Sequence, residues 1–260
     1  MTKSVEFTWE INSVNQDLEL IKKDEAVELT IKYLNNNFSF KILEAGSGNG
    51  RVVRYLSDLG YKNIEGIELN REIVALLNKK FTDLKIYQGD IIIYDFKKTY
   101  DFIISYGVVE HFVEGVNIPL KKFYQILNSD GIAVLTIPCF NYYRRMRYIL
   151  SRINPKNYNR NRNAPGKNGF LYNVSPLYGS FFEYWLTPTE FNYECIKSGF
   201  KILFSMPISH AFGTYQIFGK LAGNYMDGEI RLNKFGKLLN MFLKLFPYFH
   251  NHMYAIVLRK

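Results

Sequence analysis

The chain has 260 residues, enough for one large domain with a substantial core, or one domain with an elaborated lid. Its 47% hydrophobic and 22% charged residues are ordinary for a soluble globular protein, and no apolar run approaches bilayer-spanning length. The opening MTKSVEFTWE lacks a basic segment followed by an apolar one, so no secretory signal is expected. Cys139 and Cys195 lie far apart without metal-ligand spacing; reduced thiols, a cytoplasmic setting and no metal site are expected. The net charge of +9 is uneven: residues 1–130 carry 16 Lys/Arg against 19 Asp/Glu, residues 131–260 carry 17 against 5. No acid lies between Asp130 and Glu183, so the basic half needs its own explanation.

An amphipathic helix is expected over Asp17–Leu34, within an N-terminal helical cap of residues 1–38. Short apolar runs then alternate with helical patterns. FKILEAG (40–46), NIEGIEL (63–69), LKIYQGD (84–90), YDFIISYG (100–107) and GIAVLTIP (131–138) read as strands covered on both faces. Helical stretches at Arg51–Leu59, Arg71–Lys80 and Ile118–Leu127 separate them, which argues for a parallel sheet with right-handed crossovers. After Pro138 the chain turns basic and rich in Asn and Tyr, and residues 139–186 read as an inserted lid, helical at its front and loop beyond. Thr187 and Glu190 then form a capping-box signature. A strand at 200–208, a helix near 231–246 and a last strand at 253–260 complete the chain. With no internal repeat or low-complexity linker, residues 1–260 are read as one domain.

The strand ending in Glu44 runs directly into Gly46, Gly48 and Gly50. A dinucleotide fingerprint would need its third glycine at position 51, which is Arg51, and a phosphate loop would need a Gly-Lys-Ser/Thr ending that GNGRVV lacks. A carboxylate at Glu44 repels a pyrophosphate and attracts an ammonium group. The ligand expected is therefore nucleoside-like with a cation beside the turn. Glu68, at the end of the second strand, suits two ribose hydroxyls, and Asp90, ending the third, suits an exocyclic amine.

These pieces, LEAGSGNG, IEGIELN, YQGDI, DFIISYGVVEHF and LNSDGIAVLTIP, resemble the class I S-adenosylmethionine-dependent methyltransferases, in their small-molecule branch. The resemblance covers Lys41 to Pro138, and LNSDG keeps only Asp130–Gly131 of the usual turn. It implies a Rossmann-like α/β fold with a seven-stranded, mostly parallel sheet whose last strand is antiparallel. It also implies S-adenosyl-L-methionine as cofactor and S-adenosyl-L-homocysteine as product. The cofactor-binding residues it implies are Glu44, Gly46, Ser47, Gly48, Asn49 and Gly50 at the turn. Glu68 and Leu69 follow for ribose and adenine, Asp90 and Ile91 for the adenine edge, and Ser105, Tyr106 and Gly107 beside the sulfonium.

Three side chains are candidates for catalysis. His111, in VVEHF, follows the fourth strand beside the expected methyl position, where imidazole could take a proton from a hydroxyl acceptor. His210, in PISHAFG, is a second candidate at the far side of the sheet opening, and the third is Tyr106, which the resemblance places beside the sulfonium. On a helix from Asn141 to Ile153, Tyr142, Met146, Ile149, Leu150 and Ile153 share one side, with Arg144, Arg145, Arg147 and Arg152 on the flanks. Such a basic amphipathic helix suits phosphates or an anionic membrane surface. Tyr142, Tyr143, Tyr148, Tyr158 and Tyr172 could stack on a sugar or aromatic ring. The acceptor expected is a small molecule or glycan, first an oxygen of a sugar on a phosphorylated or lipid-linked carrier. RNA and a non-catalytic cofactor-binding module are the alternatives. The apolar stripe near Leu232–Phe246 is expected to pack on the sheet.

Overall fold

The computed structural model describes residues 19–153, 171–175, 179–226 and 229–260. The expectations for residues 1–18 of the cap and for 154–170 of the lid, Tyr158 included, lie outside the described residues, as does the side chain of Tyr172. Helix α1 (Glu25–Leu34) starts at Asp24, whose carboxylate accepts from the Ala26 N–H at 2.9 Å. That cap interrupts the single helix expected from Asp17: a turn at residues 22–23 separates residues 19–21 from α1. Strands and helices then alternate as β1 (Ile42–Ala45), α2 (Arg51–Asp58), β2 (Ile64–Glu68), α3 (Arg71–Lys80), β3 (Ile86–Gln88), β4 (Tyr100–Tyr106), α4 (Asn117–Ile126) and β5 (Leu127–Pro138). A 3-10 turn, Val109–His111, stands between β4 and α4.

Helix α5 (Tyr142–Ile153) opens at Asn141, whose side chain accepts from the Arg144 N–H at 2.8 Å. The stretch beyond it, read from sequence as loop, contains an antiparallel pair, β6 (Leu171–Ser175) and β7 (Gly179–Glu183). Its aromatic and β-branched residues favour strand despite the surrounding Gly and Pro. Helix α6 (Pro188–Lys197) carries the expected capping box: Thr187 Oγ1 accepts from the Glu190 N–H, and the Glu190 carboxylate from the Thr187 N–H. The chain continues through β8 (Lys201–Ile208), α7 (His210–Phe218), β9 (Gly223–Met226), β10 (Glu229–Leu232), α8 (Lys234–Leu243), α9 (Pro247–His250) and β11 (Met253–Arg259).

Seven strands form one sheet in the order β3-β2-β1-β4-β5-β11-β8. The first five are mutually parallel, and β11 runs antiparallel between β5 and β8. Alternate residues feed two cores, as strand geometry requires. Leu43, Ile103, Leu135 and Ile256 meet Leu120 and Phe123 of α4 and Phe191 of α6 on one face. Ile42, Phe102, Val134 and Val257 meet Val27 of α1, Leu56 of α2 and Val74 of α3 on the other. Each such side chain gains about 2 kcal/mol by leaving water. The near-continuous apolar runs of the sequence are the signature of this two-sided coverage.

Helix α8 corrects an expectation. Its apolar stripe does not pack on the sheet: Phe235, Leu238, Met241 and Phe242 are exposed, while Gly236 is buried against the protein. A Cβ on Gly236 would stand 1.9 Å from the carbonyl oxygen of Ala222, so only glycine permits this approach. On the same inward side, Asn240 Oδ1 accepts from the Thr214 hydroxyl at 3.0 Å.

Arg144 is a second correction, since the sequence placed it on an outer flank of α5. It is buried, at 4% exposure. Its guanidinium donates to the carbonyls of Cys139 (2.7 Å) and His252 (3.3 Å) and to Gln216 Oε1 (3.1 Å). It also lies 4.3 Å from the Trp185 ring centroid. One charged fork thus joins the end of β5, the start of β11, α7 and the residues after β7. Arg144→Ala leaves those acceptors unsatisfied and should lower unfolding free energy by roughly 3 kcal/mol. Urea titration followed by circular dichroism measures it, with Arg145→Ala, on the exposed side of α5, as the near-neutral control.

Candidate active site

The parallel strands end along one edge of the sheet, where open α/β sheets place their ligands. The turn after β1 is stapled to β2. The N–H groups of Gly46 and Ser47 both donate to the Ile67 carbonyl at 2.9 Å, and that of Gly48 donates to Glu68 Oε2 at 2.8 Å. Gly46, Gly48 and Gly50 all have positive φ, and a Cβ on Gly46 would meet the Val108 side chain at 2.5 Å. Helix α2 begins at the turn with no acid in its first turn, and of its first amides that of Arg51 donates to Asn49 Oδ1 at 3.3 Å.

Two carboxyl groups are buried beside this turn. Glu68 Oε1 also accepts from the Asn70 N–H at 3.0 Å. Two lone-pair directions of Glu68 therefore serve the backbone and two remain. Glu44 Oε2 accepts from the Val53 N–H at 3.1 Å. Burial pushes the Glu44 carboxyl up to about 8, against a smaller opposing effect of the Val53 N–H and of Arg51, with Glu68 adding to the rise. The buried Ser47 hydroxyl has no hydrogen-bond partner among the described residues. A buried carboxyl of high proton affinity and an orphaned hydroxyl, flanking a turn without room for side chains, fit a ligand bearing an ammonium group.

The remaining sequence candidates fall into place around that edge. Leu69 and Asn49 are half-buried, and Leu69 carries a Gln88 side-chain contact on its carbonyl at 3.2 Å. Asp90 is half-buried and accepts from the Ile92 N–H at 2.8 Å, whereas Ile91 is buried in the core. The fully buried Ser105 donates its hydroxyl proton to the Ala45 carbonyl at 3.1 Å. Tyr106 donates to the Ala26 carbonyl at 2.9 Å and pairs with the Thr30 hydroxyl, and burial raises its phenol well above the usual range. The phenol thus binds α1 to the end of β4. Gly107 has a φ of +66° and donates to the Thr136 carbonyl at 3.0 Å.

The structure does not bring the two candidate histidines together. His111 stands at the end of β4 and His210 at the end of β8, with β5 and β11 between those strands. His210 Nε2 lies 3.1 Å from the Pro247 carbonyl, and its ring lies 4.9 Å from that of His250. Burial lowers the pKa of His210, and burial and His210 together lower that of His250 to about 4. Beside His111 is Glu110, which the sequence reading passed over. Its carboxyl is 1% exposed, its Oε1 lies 4.0 Å from His111 Nε2, and its Oε2 has no hydrogen-bond partner among the described residues. Burial raises it well above the carboxylate range, and the neighbouring Glu183 adds to the effect. The only signal in the sequence was an acid in the otherwise apolar VVEHF, and nothing there indicated that it is buried.

Fold and site together define a Rossmann-like methyltransferase architecture. Residues 43–135 match the family model described as a methyltransferase domain. Among curated proteins, the chain is 30% identical over 112 residues to a probable (S)-tetrahydroprotoberberine N-methyltransferase 2 of Papaver bracteatum. That match covers 39% of this chain and 31% of the relative. A crystal structure of a putative S-adenosylmethionine dependent methyltransferase from Listeria monocytogenes aligns with TM-score 0.58 at 16% identity, covering 90% of this chain and 96% of the other. The glycopeptide N-methyltransferase MtfA, in complex with S-adenosylmethionine, aligns with TM-score 0.53 at 14% identity over 90% of this chain and 93% of its own. Likeness at such identities is likeness of fold.

The raised Glu44 pKa makes a pH prediction. Between its ordinary value of 4.5 and about 8 the folded chain holds a proton that the unfolded chain releases. The stabilisation is complete below pH 4.5 and is lost as pH rises through about 8. Melting curves of the ligand-free protein from pH 5 to 9 should show this decline, and Glu44→Gln should flatten it.

Proposed function

We propose that the chain transfers a methyl group from S-adenosylmethionine to a nitrogen of a small-molecule acceptor. The observation that carries this reading is the buried Glu110 carboxyl, with Oε2 unpartnered among the described residues, beside Gly107 and His111 at the end of β4. When bound, the cofactor supplies an electrophilic methyl on a sulfonium. An amine acceptor at neutral pH arrives largely protonated and must lose a proton before its lone pair can attack. Glu110 is placed to accept it in its ionised form, which burial disfavours and an ammonium group beside it favours, and His111 is placed to orient the acceptor. The acceptor chemistry in the name of the Papaver relative, an N-methyltransferase, supports the same choice.

The chain's other residues take matching roles in this reading. Glu44 faces the ammonium of the methionine part, and the backbone of Gly46, Ser47, Gly48, Asn49 and Gly50 lines it. Glu68 accepts from ribose hydroxyls with its remaining lone pairs, Leu69 packs on adenine, and Asp90 and Ile91 border the adenine edge. Ser105, Tyr106 and Gly107 flank the sulfonium through backbone and ring surface, since both hydroxyl protons serve the fold. His210, bonded to Pro247, supports α9 rather than the reaction. A second reading keeps the oxygen of a phosphorylated or lipid-linked sugar as acceptor. The exposed Arg145 and Arg147 of α5 favour it, as they suit an anionic substrate.

Purified protein, methyl-labelled S-adenosylmethionine and cell material split into small-molecule, lipid, RNA and protein fractions test the proposal. Label on a nitrogen of a small molecule supports the first reading, label on a lipid-linked sugar the second, and label confined to RNA overturns both. Glu68→Gln should weaken S-adenosylmethionine binding roughly 30-fold by calorimetry, because one charged acceptor becomes a neutral one. Glu110→Gln should leave that affinity unchanged and lower turnover about 100-fold, with loss of the acidic limb of the pH–rate profile.

A further inference from the structure

Helix α8 turns much of its apolar surface outward. Its inward side holds buried Gly236 with half-buried Leu239, Asn240 and Leu243, and its outward arc carries exposed apolar side chains. Leu238 is 60% exposed and Met241 66%. The stripe continues past the helix end through Leu245, 70% exposed, and Phe246. Across a groove of about 490 Å³, bounded by Tyr142, Phe242 and Phe246 among others, stands α5. Its Tyr142, Met146, Ile149 and Leu150 are exposed as well. Tyr143 of α5 meets Phe249 of α9 with ring centroids 6.3 Å apart, so the two helices share one continuous face. Single exposed apolar side chains are commonplace, but a contiguous face of this extent marks an interaction surface.

The charges around it select the partner. Exposed Arg145 and Arg147 border the α5 side, and exposed Lys234, Lys237 and Lys244 border the α8 side. Neither helix contains an Asp or Glu, and none occurs from Lys234 to Lys260. Apolar side chains rimmed by the cations of two helices that contain no acid complement a surface with an apolar interior and anionic groups at its boundary. A second copy of the chain on this face would set the same cations against each other. No helix among the described residues is long and apolar enough to cross a membrane, so the contact is one of lying on the surface.

We propose that the face built by α5, α8 and α9 docks the protein on an anionic lipid bilayer, with the apolar arc of α8 entering the headgroup boundary. The proposal rests on this surface and not on the methyl-transfer reading. The face adjoins the end of β5 and the start of β11, at the edge of the sheet where the cofactor turn lies, so docking brings that edge toward the lipid.

The test is co-sedimentation of the full chain with phosphatidylglycerol–phosphatidylcholine vesicles and with pure phosphatidylcholine vesicles, beside its mass in solution by light scattering. Binding to the anionic vesicles alone, weakened by salt, is expected. Each of Lys237→Ala and Lys244→Ala should lower partitioning roughly fivefold. Leu238→Glu, at an exposed position, should abolish partitioning while the melting temperature and S-adenosylmethionine affinity stay unchanged. A folded wild type that sediments with neither vesicle overturns the proposal. A dimer dispersed by Leu238→Glu, without vesicle binding, overturns it in favour of self-association.

Discussion

Glu68 and the glycine turn hold each other in place, and the crevice depends on that mutual constraint. The turn must pass close under β2 for Gly46 and Ser47 to reach the Ile67 carbonyl and for Gly48 to reach the Glu68 carboxylate. Side chains at those glycines would push it away, as the short approach of Val108 to Gly46 demonstrates. Once the turn is seated, Glu44 has no route to water. Its carboxyl becomes a buried group that is neutral when alone and readily ionised beside a cation. Backbone geometry therefore sets the electrostatics, and the electrostatics favour a zwitterionic amino acid over a pyrophosphate.

A second arrangement of buried polar groups secures the opposite half of the edge. Arg144, His252, Gln216 and the Cys139 carbonyl form one network, and His210, Thr214, Asn240 and His250 form another. Burial keeps the three histidines of this region neutral: His210 and His250 are lowered, and His252 falls well below its usual value. Thr214 and His250 reach Asn240 on the inward side of α8, beside half-buried Leu239 and Leu243.

The strand–helix alternation and the capping box at Thr187 were legible because they follow from local rules: apolar runs for strands covered on two faces, glycine where φ is positive, a hydroxyl at a helix start. The carboxylates Glu44 and Glu68 were legible for the same reason, since each stands at or near the end of a readable strand. What escaped depended on burial. Arg144 looks like its neighbours Arg145 and Arg147 until the start of β11 supplies its acceptors. Glu110 looks like half of an acid–histidine pair, and only the packing of β5 and β7 against its turn, with the Tyr184 N–H on the Glu110 carbonyl at 2.9 Å, removes it from water. The α8 stripe has the period of a packing helix, and only the contact of Gly236 with Ala222 turns it outward.

The placement of β11 has a consequence for how the molecule comes into being. β11 holds the last seven-residue strand of the chain, and it lies between β5 and β8 rather than at the sheet margin. The five parallel strands can pair as soon as residue 138 is made, whereas β8 has no neighbour in the sheet until residues 253–259 are made. The pairing of β11 with β5 therefore closes a loop that begins at Cys139 and ends at His252. Such long-range closure is slow compared with the local pairing of the first half. The glycine turn after β1 is an early structure and the wall opposite it a late one, so a nascent chain can own half a crevice well before it owns a whole one.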